Sequence, residues 1–338
     1  MSKTTMLGLD LGTDSMKWAR MERGKVVQSD TVQLPENLVQ DGRITSLDLM
    51  ADQLKAAIGK TTRLWKPKCA LVLPTESVIV RRLTMPYMTT EQLLVNLPYE
   101  FHDFIKDEKE HYFYDYAMID VEKDADGNPT GLDMLAAAVR RETIADYRTM
   151  LAKVGLKLDR AVPACIAYGN LIRAYEAVTP VHPKEYCIVD MGHQAVRLYI
   201  YRGSVYETSR IIEYGGKMLD VLIADAHAVD PHLAAGYKRT NYNGAQEIPA
   251  AKELYNRVAV EITRAVNFYG FNTPNSELSD IYFTGGLANV SAMVEEINRN
   301  LNLTAHPIED LMPSDVTGEA GRMASPAVVG ILLQGDGR

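Results

Sequence analysis

Cysteine is scarce: Cys69, Cys165 and Cys187 are the three that occur in 338 residues. They are odd in number, far apart and set in apolar stretches, which argues against a disulfide framework or a metal site and for buried free thiols in a reducing compartment. Long apolar runs are missing as well. No stretch reaches the roughly eighteen uncharged apolar residues of a membrane span, and the start, MSKTTMLGLD, has no apolar leader core. A basic excess is also lacking. Lys and Arg number 36 against 44 Asp and Glu, a net charge of −8 that argues against non-specific nucleic-acid binding. What is present, 46% apolar residues, suffices for two domains with their own cores. These features together predict a cytoplasmic protein.

The informative stretch is Met6 to Lys17, MLGLDLGTDSMK. An apolar strand enters Asp10-Leu11-Gly12, turns through the small polar residues Thr13, Asp14 and Ser15, and reaches Lys17 before a second strand, expected over Trp18 to Met21. Gly12 lets backbone approach a ligand closely, successive N–H groups can form an anion-binding concavity, and Lys17 adds a point charge. Asp10 suits a magnesium ion held through waters. Taken alone, the same residues fit an ordinary β-hairpin turn equally well.

A second copy changes that balance. Tyr186 to Tyr206, YCIVDMGHQAVRLYIYRGSVY, overlays the first stretch with Asp10 on Asp190, Gly12 on Gly192 and Lys17 on Arg197, and each copy ends in an Arg-Gly pair, Arg23-Gly24 and Arg202-Gly203. Internal repetition predicts two similar lobes, whose acidic turns are expected to face each other and clasp one ligand. A third element, the strand Ile281 to Thr284, runs into Gly285-Gly286-Leu287 and a helix expected from about Asn289 to Leu301; glycines there let a flat ring or sugar lie on the backbone.

These motifs resemble the phosphate-1, phosphate-2 and adenosine motifs of the actin-like ATPase superfamily. Within it the chain resembles the PilM family of type IV pilus assembly and its relative FtsA. The resemblance extends through Arg82 to Met88, Pro98-Tyr99-Glu100-Phe101 and Leu135 to Glu142 to nearly the whole chain. It implies an α/β, two-lobed actin-like fold of duplicated ribonuclease H-like domains with an inserted small α+β subdomain. It also implies binding of ATP or ADP with Mg²⁺, the metal held through water by Asp10 and Asp190. The implied partner is the N-terminal cytoplasmic tail of a PilN-like inner-membrane protein, docked with help from the insertion and holding the chain at the inner face of the membrane without direct insertion. Self-association is a further possibility of the family.

Ser46 is expected to cap a helix with Leu47, Met50, Leu54 and Ile58 on one stripe. Cys69 to Leu73 and Val78 to Leu83 read as further strands of the first lobe. The insertion is expected over about 86–162, with a helix from Thr89 or Thr90, strands Tyr112 to Val121 and Met134 to Val139 around an Asp126-Gly127-Asn128-Pro129 turn, and a helix through Tyr147 to Val154 closed by Gly155. The alternating Tyr112, Phe113, Tyr114 and Tyr116 read as core and pairing surface, with an exposed aromatic interface as the rarer alternative. A domain boundary is expected near residue 180, giving lobes 1–180 and 181–338. Beyond it, Gly215-Gly216-Lys217 opens a helix whose free N–H groups suit phosphate, although a plain loop-to-helix turn reads equally well. Lys238 lies where the family supplies a residue near the base. Glu253 to Tyr269 is a strong amphipathic helix.

Departures from the superfamily pattern bear on activity. His193 follows Gly192, and Gln194 and Val196 stand where a small residue and a Thr commonly help hold phosphates, while Ala235 replaces an acidic group. One lost charge-assisted contact weakens binding roughly tenfold to a hundredfold. No residue is assigned by spacing to orienting an attacking water, so any ATPase activity is expected to be weak. The other readings are an FtsA- or MreB-like filament scaffold, against which 328–338 offers no amphipathic anchor, and a small-molecule kinase of the same superfamily.

Overall fold

A computed structural model describes residues 5–40, 42–59, 67–314, 316–318 and 324–333. Parts of the two terminal stretches, 1–4 and 334–338, over which neither leader nor anchor is expected, lie outside the described residues. The chain forms two compact units, Met1–Asn170 with Ser314–Arg338, and Leu171–Pro313.

In the first unit, β1 (Met6–Leu11), β2 (Ser15–Glu22) and β3 (Lys25–Gln33) form an antiparallel meander. The minor ladder β4 (Val39–Gln40) with β5 (Arg43–Ile44) follows. Helix α1 (Leu47–Ile58) then starts as expected, with Ser46 Oγ accepting from the Leu49 N–H at 3.3 Å and Met50, Leu54 and Ile58 buried. Strand β6 (Lys68–Leu73) joins β1 in parallel. Its neighbour β7 (Val78–Pro86) does not extend that sheet. It pairs with β9 (Pro129–Arg140), which pairs with β8 (Tyr112–Lys123), so the insertion begins earlier than expected. Between β7 and β8, α2 (Thr90–Asn96) is fixed by a reciprocal Thr89–Gln92 capping box.

The other end of the insertion also moves. Helix α3 (Arg141–Lys153) buries Tyr147, Met150 and Leu151 in the same core as Leu9, Trp18 and Leu54, and β10 (Lys157–Pro163) pairs in parallel with β6. β10 thus belongs to the main sheet of the first unit, whose order is β10-β6-β1-β2-β3, and α3 packs in the core on that sheet. The small three-stranded sheet has its own core around Leu93, Leu97, Phe101 and Met134. Tyr112 lies in that core and Tyr114 and Tyr116 pack against it, so these rings serve packing.

Helix α4 (Ala164–Val178) contains the division between the units, ahead of the expected residue 180. The helix Pro326–Leu333 returns to β1 instead of completing the second lobe. Small residues set this docking: a Cβ at Gly8 would meet Val328 at 2.8 Å, and one at Gly330 would meet the Ala167 carbonyl at 2.0 Å. A side chain at Gly8 would hold the helix off the sheet, and one at Gly330 would hold it off α4.

The second unit repeats the plan of the first. β11 (Glu185–Met191), β12 (Val196–Arg202) and β13 (Val205–Ile212) form the meander, and β14 (Asp280–Thr284) and β15 (Thr304–Pro307) add in parallel beside β11, giving the order β13-β12-β11-β14-β15. Helices α5 (Gly216–His227), α6 (Pro231–Thr240), α7 (Pro249–Asn272) and α8 (Ser291–Asn300) complete it. Leu219, Leu254, Tyr255 and Val258 pack with Val189, Leu198 and Ile281 in its core.

The repeats keep step beyond the tips. Strand irregularities fall between Arg20 and Met21 and between Ile200 and Tyr201, and the next turns are Arg23-Gly24 and Gly203-Ser204. The Arg-Gly pairs themselves are therefore one place out of register. What the two turns share is a positive φ at the first turn residue, 53° at both Arg23 and Gly203.

All three cysteines are free and buried, and burial pushes each thiol up to about 12, so they are inert at neutral pH.

Candidate functional site

Each meander carries a tip of the same construction. In the first unit Asp10 and Lys17 sit opposite each other on β1 and β2, so their side chains share one face. Lys17 Nζ lies 3.5 Å from Asp10 Oδ2, with both side chains partly exposed. Strand β2 begins at Ser15, three residues earlier than expected, which places Lys17 within the ladder. The Gly12 N–H donates to Ser15 O at 3.0 Å, and Thr13 and Asp14 form the turn. β3 braces it: the Leu34 N–H donates to Asp14 O at 2.9 Å and the Gln33 amide to Asp14 Oδ1 at 2.5 Å.

In the second unit Asp190 and Arg197 are opposed in the same way, and the Gly192 N–H donates to Ala195 O at 3.1 Å. Its brace is a helix. The first two N–H groups of α5 donate to this loop, Gly216 to Gly192 O at 3.1 Å and Lys217 to His193 O at 2.8 Å. The Met218 N–H turns back to Gly215 O at 3.1 Å. The expectation of free N–H groups at Gly216 and Lys217 is thus overturned: the loop itself uses them. Gly215 allows this contact, since a Cβ there would fall 2.4 Å from His193 O and from the Gln194 carbonyl carbon.

Lys238, on α6, ion-pairs with the buried carboxylate of Asp220 at 2.8 Å and reaches Gly216 O at 3.3 Å. It joins α5 to α6 beneath the loop. Gly285, at φ 91°, rests against Asp190: a Cβ would lie 2.7 Å from Asp190 Oδ1 and 2.6 Å from Met191 O. The neighbouring Cβ position at Gly286 faces open space. Leu287, expected at the site, buries its side chain in the core of the unit, which leaves only its backbone for a ligand. The fold thus brings Asp190, Gly192, His193, Gln194, Gly215, Gly216, Lys217, Lys238, Gly285 and Gly286 together within the second unit, and Asp10 to Lys17 within the first.

A family model for the type IV pilus assembly protein PilM matches residues 8–316. The chain belongs to the PilM family. No curated protein sequence matches it. Among solved structures, it is similar to the PilM–PilN type IV pilus biogenesis complex at 17% identity, covering 98% of both chains with a TM-score of 0.80. It is also similar to the ethanolamine utilization protein EutJ of Carboxydothermus hydrogenoformans, at 13% identity over 98% of this chain and 90% of the other, TM-score 0.61. MreB5 of Spiroplasma citri bound to ADP matches at 13% identity over 98% and 94%, TM-score 0.51. At these identities the likeness establishes the fold: this chain is an α/β protein with the actin-like ATPase fold and two mixed sheets.

The second unit of this PilM-family chain also contains a cavity of about 460 Å³ that sequence reasoning missed. Arg239 and Asn241 from the end of α6, Lys252 and Tyr255 from α7, and Asn289 and Ser291 at the start of α8 line it. Part of its lining comes from the polar run that follows Lys238 in the sequence. Lys238 itself is held by Asp220, while the next residue, Arg239, faces the cavity.

The donor set suits magnesium in one way only. Among the described residues no three His, Cys, Asp or Glu side chains converge as a metal cage. Asp10 in the first unit and Asp190 in the second are each a hard oxygen ligand of the kind that would hold Mg²⁺ through its waters while phosphate supplied the rest. No described helix is long and apolar enough to cross a membrane.

The insertion presents an apolar surface. Leu94, Val95 and Tyr99 on and beside α2 are exposed, Val95 by 68%, and Phe104 and Tyr99 each carry a cation over the ring, Arg81 and Lys109 at 3.9 Å. The exposed apolar face lies here and not on β8, where Phe113 is the one aromatic of the alternating set left exposed.

Proposed function

We propose that the chain is an ATP-binding cytoplasmic adaptor of a type IV pilus or related secretion machine. The observation that carries this reading is the repeated tip, a carboxylate, a turn glycine and a cation in register, in a chain of the PilM family. Asp10 with Gly12 to Lys17 in the first unit, and Asp190 with Gly192 to Gln194 in the second, are each suited to magnesium-bound phosphate, and Gly285 and Gly286 would support the nucleoside. The polar cavity beside Asn289 and Ser291 has the volume for a nucleoside and supports that assignment. Bound nucleotide shifts the population of a state that partners read. The exposed Leu94, Val95 and Tyr99 support docking on the insertion of an apolar segment from the cytoplasmic tail of a PilN-like membrane protein, which would keep the chain at the inner face of the membrane. Binding, not turnover, is the proposed activity.

Calorimetric titration with ATP, with and without magnesium, tests the reading, repeated with Lys17→Ala and Asp10→Ala. Magnesium-dependent binding that falls about tenfold or more in both variants is expected. Asp10→Ala retaining wild-type affinity for nucleotide and for the partner tail peptide would sink it.

A further inference from the structure

We infer that Tyr255 and Glu247 read the edge of an adenine base, the phenol donating to ring N1 and the carboxylate accepting from the exocyclic amine; this rests on the reading that the chain binds a nucleotide. All the residues involved lie in the second unit. Tyr255 is fully buried and belongs to the core with Leu254 and Val258, yet it lines the cavity of about 460 Å³ and its hydroxyl has no hydrogen-bond partner. An unpaired buried hydroxyl costs stability, so one kept at a cavity wall points to an acceptor that arrives with a ligand. The cavity also reaches the glycines assigned to the nucleoside: Asn289 lines it and donates through its amide to Gly286 O at 3.4 Å.

Glu247, on the same cavity wall, supplies the complement. Its Oε1 accepts from the Asn241 amide at 2.9 Å, and its second oxygen is left for a donor. The Asn241 side chain also accepts from the Gln246 N–H at 2.9 Å, and the Gln246 amide donates to Lys238 O at 2.8 Å, so the loop that carries Glu247 is tied to α6 before a ligand arrives. Burial, with the nearby Glu247 carboxylate adding to it, pushes the Tyr255 phenol well above its usual range. The phenol therefore keeps its proton and acts as a donor. A donor beside an acceptor matches adenine, whose N1 accepts while its amine donates, and opposes hypoxanthine, which presents the reverse pattern.

The test uses the full chain and titrates wild type, Tyr255→Phe and Glu247→Gln with magnesium-ATP and with magnesium-ITP, which differ at this base edge alone, alongside thermal unfolding without nucleotide. Wild type is expected to prefer ATP by about tenfold or more, Tyr255→Phe to weaken ATP several-fold and Glu247→Gln about tenfold, with the two nucleotides brought closer together in both variants. Tyr255→Phe should unfold without nucleotide at the wild-type temperature or above it, because it removes an unpaired hydroxyl and no bond. Equal wild-type affinity for ATP and ITP overturns the edge assignment while leaving the nucleotide reading in place. Losses in the variants that are equal for the two nucleotides also overturn it, and so does a lowered midpoint for Tyr255→Phe, which would show that the hydroxyl serves the fold. Wild type that binds neither nucleotide overturns the nucleotide reading itself, and the edge assignment with it.

Discussion

The hairpin of β1 and β2 and the hairpin of β11 and β12 have the same register at their tips but are secured by different neighbours. A strand braces the first through two contacts to Asp14. A helix braces the second through its first two N–H groups. Their roots differ too. The second begins with Glu185, a buried carboxylate that accepts from Ser276 Oγ at 2.7 Å, the Glu277 N–H at 2.8 Å, Tyr269 Oη at 3.0 Å and the Arg202 guanidinium at 3.2 Å. The equivalent place in the first hairpin is Thr5, outside the β1–β2 ladder. The difference teaches that one loop chemistry can be installed on two different supports, the second being tied by hydrogen bonds at both its tip and its root.

Removing the root should break the comparison most severely. Glu185→Ala leaves the Tyr269, Ser276 and Glu277 donors without their acceptor, while the half-exposed Arg202 can turn to water, and is expected to cost the second unit about 3–5 kcal/mol, read by chemical denaturation. Acid sharpens the same point. Burial raises the Glu185 pKa, but hydrogen bonds from Ser276, Tyr269, Arg202 and the Glu277 N–H outweigh it and hold the group below its ordinary 4.5. A depressed carboxylate stabilises the fold fully above about 4.5, and this contribution is lost as pH falls through the lower folded value. Wild type should therefore lose stability below about pH 4.5 more steeply than Glu185→Gln; parallel pH profiles would show that the carboxylate is not the brace.

Next in size is Gly215→Ala, which forces the 193–195 loop away from α5 and should cost about 3 kcal/mol; an unchanged unfolding midpoint would mean that the loop yields freely. The paired substitutions Gly192→Ala and Gly12→Ala compare the tips directly. The added Cβ meets the Ala195 carbonyl at 2.8 Å in one case, and Ser15 O at 3.0 Å and the flexible Lys17 Nζ at 3.2 Å in the other. The second tip should suffer more by about 1 kcal/mol. Gln33→Ala, which removes one exposed contact to Asp14, should cost about 0.5 kcal/mol and barely move a melting curve.

Much of this was legible from residues. Apolar runs ending in Asp-x-Gly gave both tips, Ser46 and Thr89 marked the starts of α1 and α2, and the overlay of Asp190 and Arg197 on Asp10 and Lys17 holds in the ladders. Less legible was the setting of each group. Glu185 looks like a surface carboxylate until α7 and residues 276–277 close over it. Gly216 and Lys217 look like free donors until Gly215 brings the loop within reach.

Local chemistry settled where strands, caps and turns fall, because each depends on residues a few places apart. It also settled the duplication, since the repeated pattern is written in the chain itself. Tertiary structure alone decided that β7 leaves the first sheet, that α3 packs in the core on it, that Pro326–Leu333 returns to β1, and that the loop of the second tip takes the Gly216 and Lys217 N–H groups. Those outcomes depend on pairing and close packing between residues far apart in the chain, where alternation says that a strand exists but not which neighbour it will choose.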